Sequence, residues 1–102
     1  MQQFTGPLAR AFRFPVRIAV PFRPCGADSP WMEGFSVNVS RTGLLLEADS
    51  PMAVGTALEI VLEFAPPLAK VFCTGCVVRT ALAPTRVWTV ALTIERYRVV
   101  QR

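Results

Sequence analysis

Histidine is absent from the 102-residue sequence. Without an imidazole there is no Ser-His-Asp triad, no Cys-His pair, no His-containing zinc site and no His general base, so the commonest hydrolase chemistries are excluded. Lysine is nearly absent as well, Lys70 being the only one among eleven basic residues. Charged residues make up only 18% against 52% hydrophobic, too little charge for a disordered polyelectrolyte and ample apolar material for one folded core. No apolar run approaches the ~18 residues of a membrane helix. Arg10, Arg13 and Arg17 interrupt the opening, so neither a span nor a signal peptide is read there. Cys25, Cys73 and Cys76 are odd in number, a poor disulfide framework that fits reduced thiols in a cytoplasm.

Long helices have little room, because nine prolines and six glycines cut the chain into apolar runs of about five to nine residues, the length of strands. Val16, Ile18, Val20 and Phe22 alternate with Arg17, Ala19, Pro21 and Arg23, a period of two that marks a first strand. Phe35, Val37 and Val39 then alternate with Ser36, Asn38 and Ser40, which predicts a second strand with the polar trio on one face. Gly43 tolerates positive φ and leads from a tight connection into a short third strand, Leu44 to Glu47. Leu58, Ile60, Leu62 and Phe64 oppose Glu59, Val61 and Glu63 on a fourth. Pro66 and Pro67 end it, and the runs from Val71 to Thr80 and from Val87 to Ile94 supply a fifth and a sixth. Six short strands without crossover helices predict a closed antiparallel β-barrel, since closure removes exposed edges. The expected organisation is a single domain over 1–102: a flexible arm over 1–15, a barrel over 16–94, and a tail over 95–102 with room for at most two helical turns.

Ten of the eleven basic residues are arginine and the formal charge is +4. Guanidinium groups fork onto phosphates and stack on flat rings, chemistry suited to nucleotides. Arg10, Arg13, Arg17 and Arg23 precede the first acid, Asp28, so the leading segment is locally positive and draws anions. Within it, Arg13-Phe14-Pro15-Val16-Arg17 sets two guanidinium groups four residues apart, and Pro15 disfavours a helix there. Alone, this spacing also describes a solvated basic arm. Asn38-Val39-Ser40-Arg41-Thr42-Gly43 places an amide and a hydroxyl beside a turn; Asn38 offers both donor and acceptor to a purine edge, while the same residues also suit a hairpin whose side chains bond their own backbone. Cys73-Thr74-Gly75-Cys76 spells C-x-x-C, but on a strand its thiols face opposite sides and no second pair accompanies it, so it reads as packing. Trp31, Trp88 and the phenylalanines read as core or barrel-end cover before a stacking surface. Glu59 and Glu63 read as a solvated face; no acid pair has a catalytic arrangement.

Taken together, R-x-x-x-R at Arg13 and Arg17, followed about 20 residues on by Asn38-x-Ser40-x-x-Gly43, resembles the PilZ domain, a bacterial six-stranded barrel that serves as a receptor for cyclic di-GMP. The resemblance continues through Gly43-Leu44-Leu45-Leu46-Glu47, Pro51, Val54-Gly55-Thr56, Gly75-Cys76-Val77-Val78-Arg79 and Val90-Ala91-Leu92. It implies a Greek-key or split barrel in which Arg13 and Arg17 clamp guanine faces and phosphates. It also implies that Asn38 and Ser40 grip the other side, with Gly43 supplying the turn. Asn at 38 in place of Asp keeps the hydrogen-bonding head but drops the anion, so charge assistance to a guanine edge is lower. Two departures stand out: Phe12 precedes Arg13 where the family often has a second arginine, a gap that Arg10 can fill, and the family's terminal helix is nearly absent. Arg41 and Arg79 are additional candidate contacts.

The sequence therefore points to a non-enzymatic cyclic di-GMP receptor in the cytoplasm that passes binding to a downstream protein partner in motility, biofilm or related bacterial signalling. It calls for no metal or other cofactor and expects no DNA or RNA. A barrel that serves as a protein adaptor without nucleotide is the first alternative. A small single-stranded nucleic-acid binder is the second, although no basic-aromatic ladder crosses successive strands.

Overall fold

The computed structural model describes residues 15–26, 28–64 and 70–100. Six antiparallel strands, β1 (Ala19–Pro24), β2 (Met32–Val39), β3 (Gly43–Ala48), β4 (Ala57–Glu63), β5 (Lys70–Leu82) and β6 (Trp88–Val100), follow one another with no helix among the described residues. They close into a barrel in the order β1-β2-β3-β6-β5-β4. Closure buries one side of every strand, and the alternating aliphatic residues supply it: Val20, Leu44, Leu46, Leu58, Ile60, Leu62, Val77, Val90 and Leu92 are all buried. Val16, Ile18 and Phe64 pack against that core. Phe22 is the only buried aromatic among the described residues, and Trp31, expected as core or end cover, is 45% exposed.

Two glycines permit the closure. A Cβ at Gly34 would stand 2.5 Å from the Glu47 carbonyl oxygen, and one at Gly75 would collide with the Thr93 carbonyl, so neighbouring backbones approach closer there than any side chain allows. Gly43 differs from expectation. It is not among the glycines with positive φ, which are Gly26 and Gly55; it opens β3, and its lack of a side chain leaves room for the Leu92 carbonyl, 3.2 Å from where a Cβ would be.

Three further findings correct the sequence reading. The polar trio of β2 does not share a face, because the register with β3 skips Val37 between Ser36 and Asn38. That β-bulge flips the parity, so Ser36 points into the core and is fully buried while Asn38 stands outward, paired with Leu45. Second, β5 carries the same device, with Val78 skipped between Val77 and Arg79. Third, β6 does not end near Ile94: residues Glu95 to Val100, expected as a tail, continue the strand opposite Arg96's partner Thr74 through to Lys70. The expected arm falls, except for Pro15, outside the described residues, and so do Arg10 and Arg13.

The C-x-x-C thiols do lie on opposite sides, Cys73 buried and Cys76 half-buried. Burial pushes the Cys73 thiol up to about 11, so it stays protonated at neutral pH and is a poor nucleophile. Between β5 and β6 the turn is held by Ala83 N–H donating to the Val87 carbonyl at 2.8 Å and Arg86 N–H to the Ala83 carbonyl at 2.9 Å. Arg86 adopts φ 72°, a left-handed conformation that disfavours residues with a Cβ. Arg86→Gly is therefore expected to raise stability by about 0.5–1 kcal/mol after the extra unfolded-state entropy of glycine is subtracted. Denaturant unfolding checks this, and an unchanged or lower midpoint contradicts it.

Candidate ligand groove

The two bulges act on the same row of side chains. Asn38 pairs with Leu45, Leu45 with Ala91, and Ala91 with Arg79, so Asn38, Leu45, Ala91 and Arg79 form one outward line across β2, β3, β6 and β5. With strands about 4.8 Å apart, the line spans roughly 14 Å, an amide at one end and a guanidinium at the other. Simple alternation from Ser36 or Val77 would have turned Asn38 or Arg79 differently, and each bulge places its polar residue outside.

Around this line lies an open groove of ≈ 260 Å³ whose walls include Asn38, Ser40, Gly43, Leu45, Arg79 and Thr93. Apolar Leu45 and Ala91 share the wall with polar Asn38, Ser40 and Arg79. The Asn38 amide is half-buried and has no hydrogen-bond partner among the described residues. Ser40 is committed locally: its hydroxyl oxygen accepts from the Gly43 amide at 3.0 Å and the Thr42 amide at 3.3 Å, and it lies 3.2 Å from the Gly43 carbonyl. The turn is closed by Ser40 N–H donating to the same carbonyl at 2.9 Å. Ser40 thus shapes the end of the groove through its own backbone network. Arg41 sits at the exposed tip of this turn and is not part of the groove wall.

Arg17 belongs to the next rung of the same outer face, where Phe35 pairs with Glu47. Its guanidinium lies 4.7 Å from the Phe35 ring centroid and 2.6 Å from Glu47 Oε1. Two residues along β3 separate this rung from the Asn38–Leu45 pair, about 7 Å of strand. With the Arg17 side chain 61% exposed, the ion pair contributes roughly 0–1 kcal/mol and leaves the guanidinium free to exchange partners.

What holds Arg17 there was not visible in the sequence. Ser36, buried beneath the bulge, donates its hydroxyl to the Val16 carbonyl and accepts from the Ile18 amide at 3.0 Å. Its own amide donates to the Ile18 carbonyl at 2.9 Å. These bonds grip the residues on both sides of Arg17 just before β1 begins. The sequence carried no signal of this, because a period of two puts Ser36 on one face with Asn38 and Ser40. Elsewhere on the barrel, Arg23 stacks 4.2 Å from the Trp31 ring and meets Glu59 at 3.4 Å, and Lys70 lies 3.9 Å from Glu63. The two acids are therefore partners in cross-strand ion pairs.

Among candidates from the sequence, then, Asn38, Ser40, Gly43 and Arg79 line one groove, Arg17 stands on the adjoining rung, Arg41 lies off it, and Arg10 and Arg13 lie outside the described residues. Among the described residues no helix is long and apolar enough to cross a membrane.

Comparison with solved structures finds the same barrel in the Bacillus subtilis inhibitor of motility MotI/DgrA, at a TM-score of 0.72 and 15% identity, covering 88% of this chain. The chain spans 44% of that protein's length, and at this identity the likeness concerns the fold. No curated protein matches the chain. The PilZ domain family matches residues 7–101, a span that takes in the basic segment, both bulges and the whole barrel. The chain belongs to the PilZ domain family, a family of cyclic di-GMP receptors and adaptors.

Proposed function

We propose that this protein is a non-enzymatic receptor for cyclic di-GMP, with one guanine and its adjoining phosphate seated in the groove between Asn38 and Arg79. The observation that carries this reading is the Asn38 amide, without a hydrogen-bond partner among the described residues, in one outward line with Arg79 that two separate bulges create. Bulges interrupt ladder hydrogen bonding, and both fall where they turn a polar group outward. Asn38 donates and accepts at a base edge; Arg79 and Arg17 pair with phosphate or stack on the purine face. A groove of ≈ 260 Å³ lies just below the range that encloses drug-sized ligands, about 300–1,000 Å³. It therefore covers part of a cyclic dinucleotide, and the rest must meet Arg17 and, four residues earlier in the sequence, Arg13.

The output follows from the same geometry. Arg17 leaves Glu47 when it engages a phosphate, which changes the charge and shape of the outer face that a protein partner reads. Bacterial motility or biofilm signalling in the cytoplasm is the setting this reading expects, and a fold relative that inhibits motility is of that kind. A second reading, an adaptor that binds no nucleotide, draws on the Arg17–Glu47 pair and on the Ser40 hydroxyl spent on its own turn.

Calorimetry separates the two. Cyclic di-GMP is expected to bind with a Kd on the order of 1 μM, with GMP and cyclic di-AMP far weaker and a short oligonucleotide silent. No heat with any of them overturns the receptor in favour of the adaptor. Heat with the oligonucleotide alone overturns both in favour of a nucleic-acid binder.

A further inference from the structure

β6 has neighbours on both sides for only half its length. Its register with β3 runs from Trp88 to Thr93, and the Ile94 amide donates to the Thr42 carbonyl at 2.9 Å. From Glu95 to Val100 the strand pairs with β5 alone. Among the described residues, one row of its backbone N–H and C=O groups is therefore unpaired, about 20 Å of open strand edge.

The side chains on this edge are sorted by another irregularity. The register skips Glu95 between Ile94 and Arg96, after which Arg96 and Arg98 stand on the outer face opposite Thr74 and Phe72. Tyr97 and Val99 stand on the core side, opposite Cys73 and Val71. Although they face the same side as buried Cys73, Tyr97 is 54% and Val99 47% exposed, because among the described residues no further strand covers them. Arg98 lies 5.0 Å from the Phe72 ring, and Arg96 has no ion-pair partner among the described residues.

We propose that this edge receives an extended segment of a partner protein as an added β-strand, with acidic side chains at alternate positions and apolar ones between them. Backbone groups of the segment complete the ladder, acids fall beside Arg96 and Arg98, and apolar residues close over Tyr97 and Val99. Charge selects this occupant over two others. A second copy paired antiparallel about Tyr97 sets Arg96 opposite Arg98 of its mate, and like charges directly opposed destabilise a sheet. The chain's own leading segment carries Arg10 and Arg13 and no acid, so it has the wrong sign.

The proposal is independent of cyclic di-GMP binding, since Arg96, Tyr97, Arg98 and Val99 lie off the groove. The test uses the full chain and a fluorescein-labelled peptide of sequence Thr-Val-Glu-Val-Glu-Val-Thr, read by fluorescence anisotropy. Saturable micromolar binding is expected, weakened at least tenfold by Arg96→Glu with Arg98→Glu, whose melting temperature and cyclic di-GMP titration stay those of the parent. Two N-methylated peptides, one methylated on the valines and one on the glutamates, read the backbone directly. Strand addition requires that one loses binding and the other keeps it, because only alternate amides face the edge. Binding that survives both methylations is plain charge attraction and overturns the proposal. Absence of binding overturns it too, as does concentration-dependent dimerisation of the chain that the peptide does not compete away.

Discussion

Cyclic di-GMP titrated into a protein carrying Arg13→Ala and Arg17→Ala is expected to release no measurable heat at concentrations that saturate the parent. Each well-made guanidinium contact to a guanine or phosphate is worth about 1–3 kcal/mol by analogy with bidentate base recognition. Loss of both thus weakens binding by roughly a hundredfold or more. Arg17→Ala alone should cost about ten- to a hundredfold on the same scale. The fold is expected to survive, because the exposed pair with Glu47 and the stack on Phe35 each contribute on the order of 1 kcal/mol or less. A melting curve run beside the titration separates lost contacts from lost structure. Binding within threefold of the parent in the double variant shows that the ligand touches neither arginine, which leaves the Asn38–Arg79 line without the clamp proposed for it.

Ser36→Val should do the reverse, damaging the fold first and the site through it. The serine is fully buried, and its hydroxyl satisfies both the Val16 carbonyl and the Ile18 amide. Valine is close in size and a better strand former, so packing changes little, but two partly buried backbone groups lose their partner beside the core. Each such group costs about 1–3 kcal/mol, and a net loss of roughly 2–3 kcal/mol lowers the melting temperature by about 10–20 °C in a domain of this size. The segment that carries Arg17 is released with them, so cyclic di-GMP affinity falls even at temperatures where the barrel stays folded. A melting shift under about 3 °C would show that the two backbone groups find other partners, and that Ser36 does not hold Arg17 in place.

Most of the strands were legible because a barrel wall has a period of two. In β1, β3 and β4 no bulge intervenes, and Val20, Phe22, Leu44, Leu46, Leu58, Ile60 and Leu62 are buried at every second position. The same logic failed at Val37, Val78 and Glu95, since a bulge adds one residue without changing composition. Val37 and Val78 are β-branched and apolar, and nothing in either marks it as the residue to be skipped. The length of β6 was hidden too: residues 95–102 read as a tail with room for at most two helical turns, whereas pairing with β5 holds Arg96 to Val100 in a strand.

Composition and local spacing by themselves determined an all-β barrel, the exclusion of imidazole chemistry, the excess of arginine, and a pair of motifs that resemble a cyclic di-GMP receptor. Those properties depend on side-chain type and on neighbours a few residues away. Only the tertiary structure decided that Asn38 faces outward while Ser36 faces inward, that Arg79 comes to the same groove, and that Glu47, thirty residues away, holds Arg17. It also decided that half of β6 is left with an open edge. The reason is geometric: which way a side chain points depends on the register between strands distant in sequence, and one extra residue in a ladder reverses it for every residue that follows.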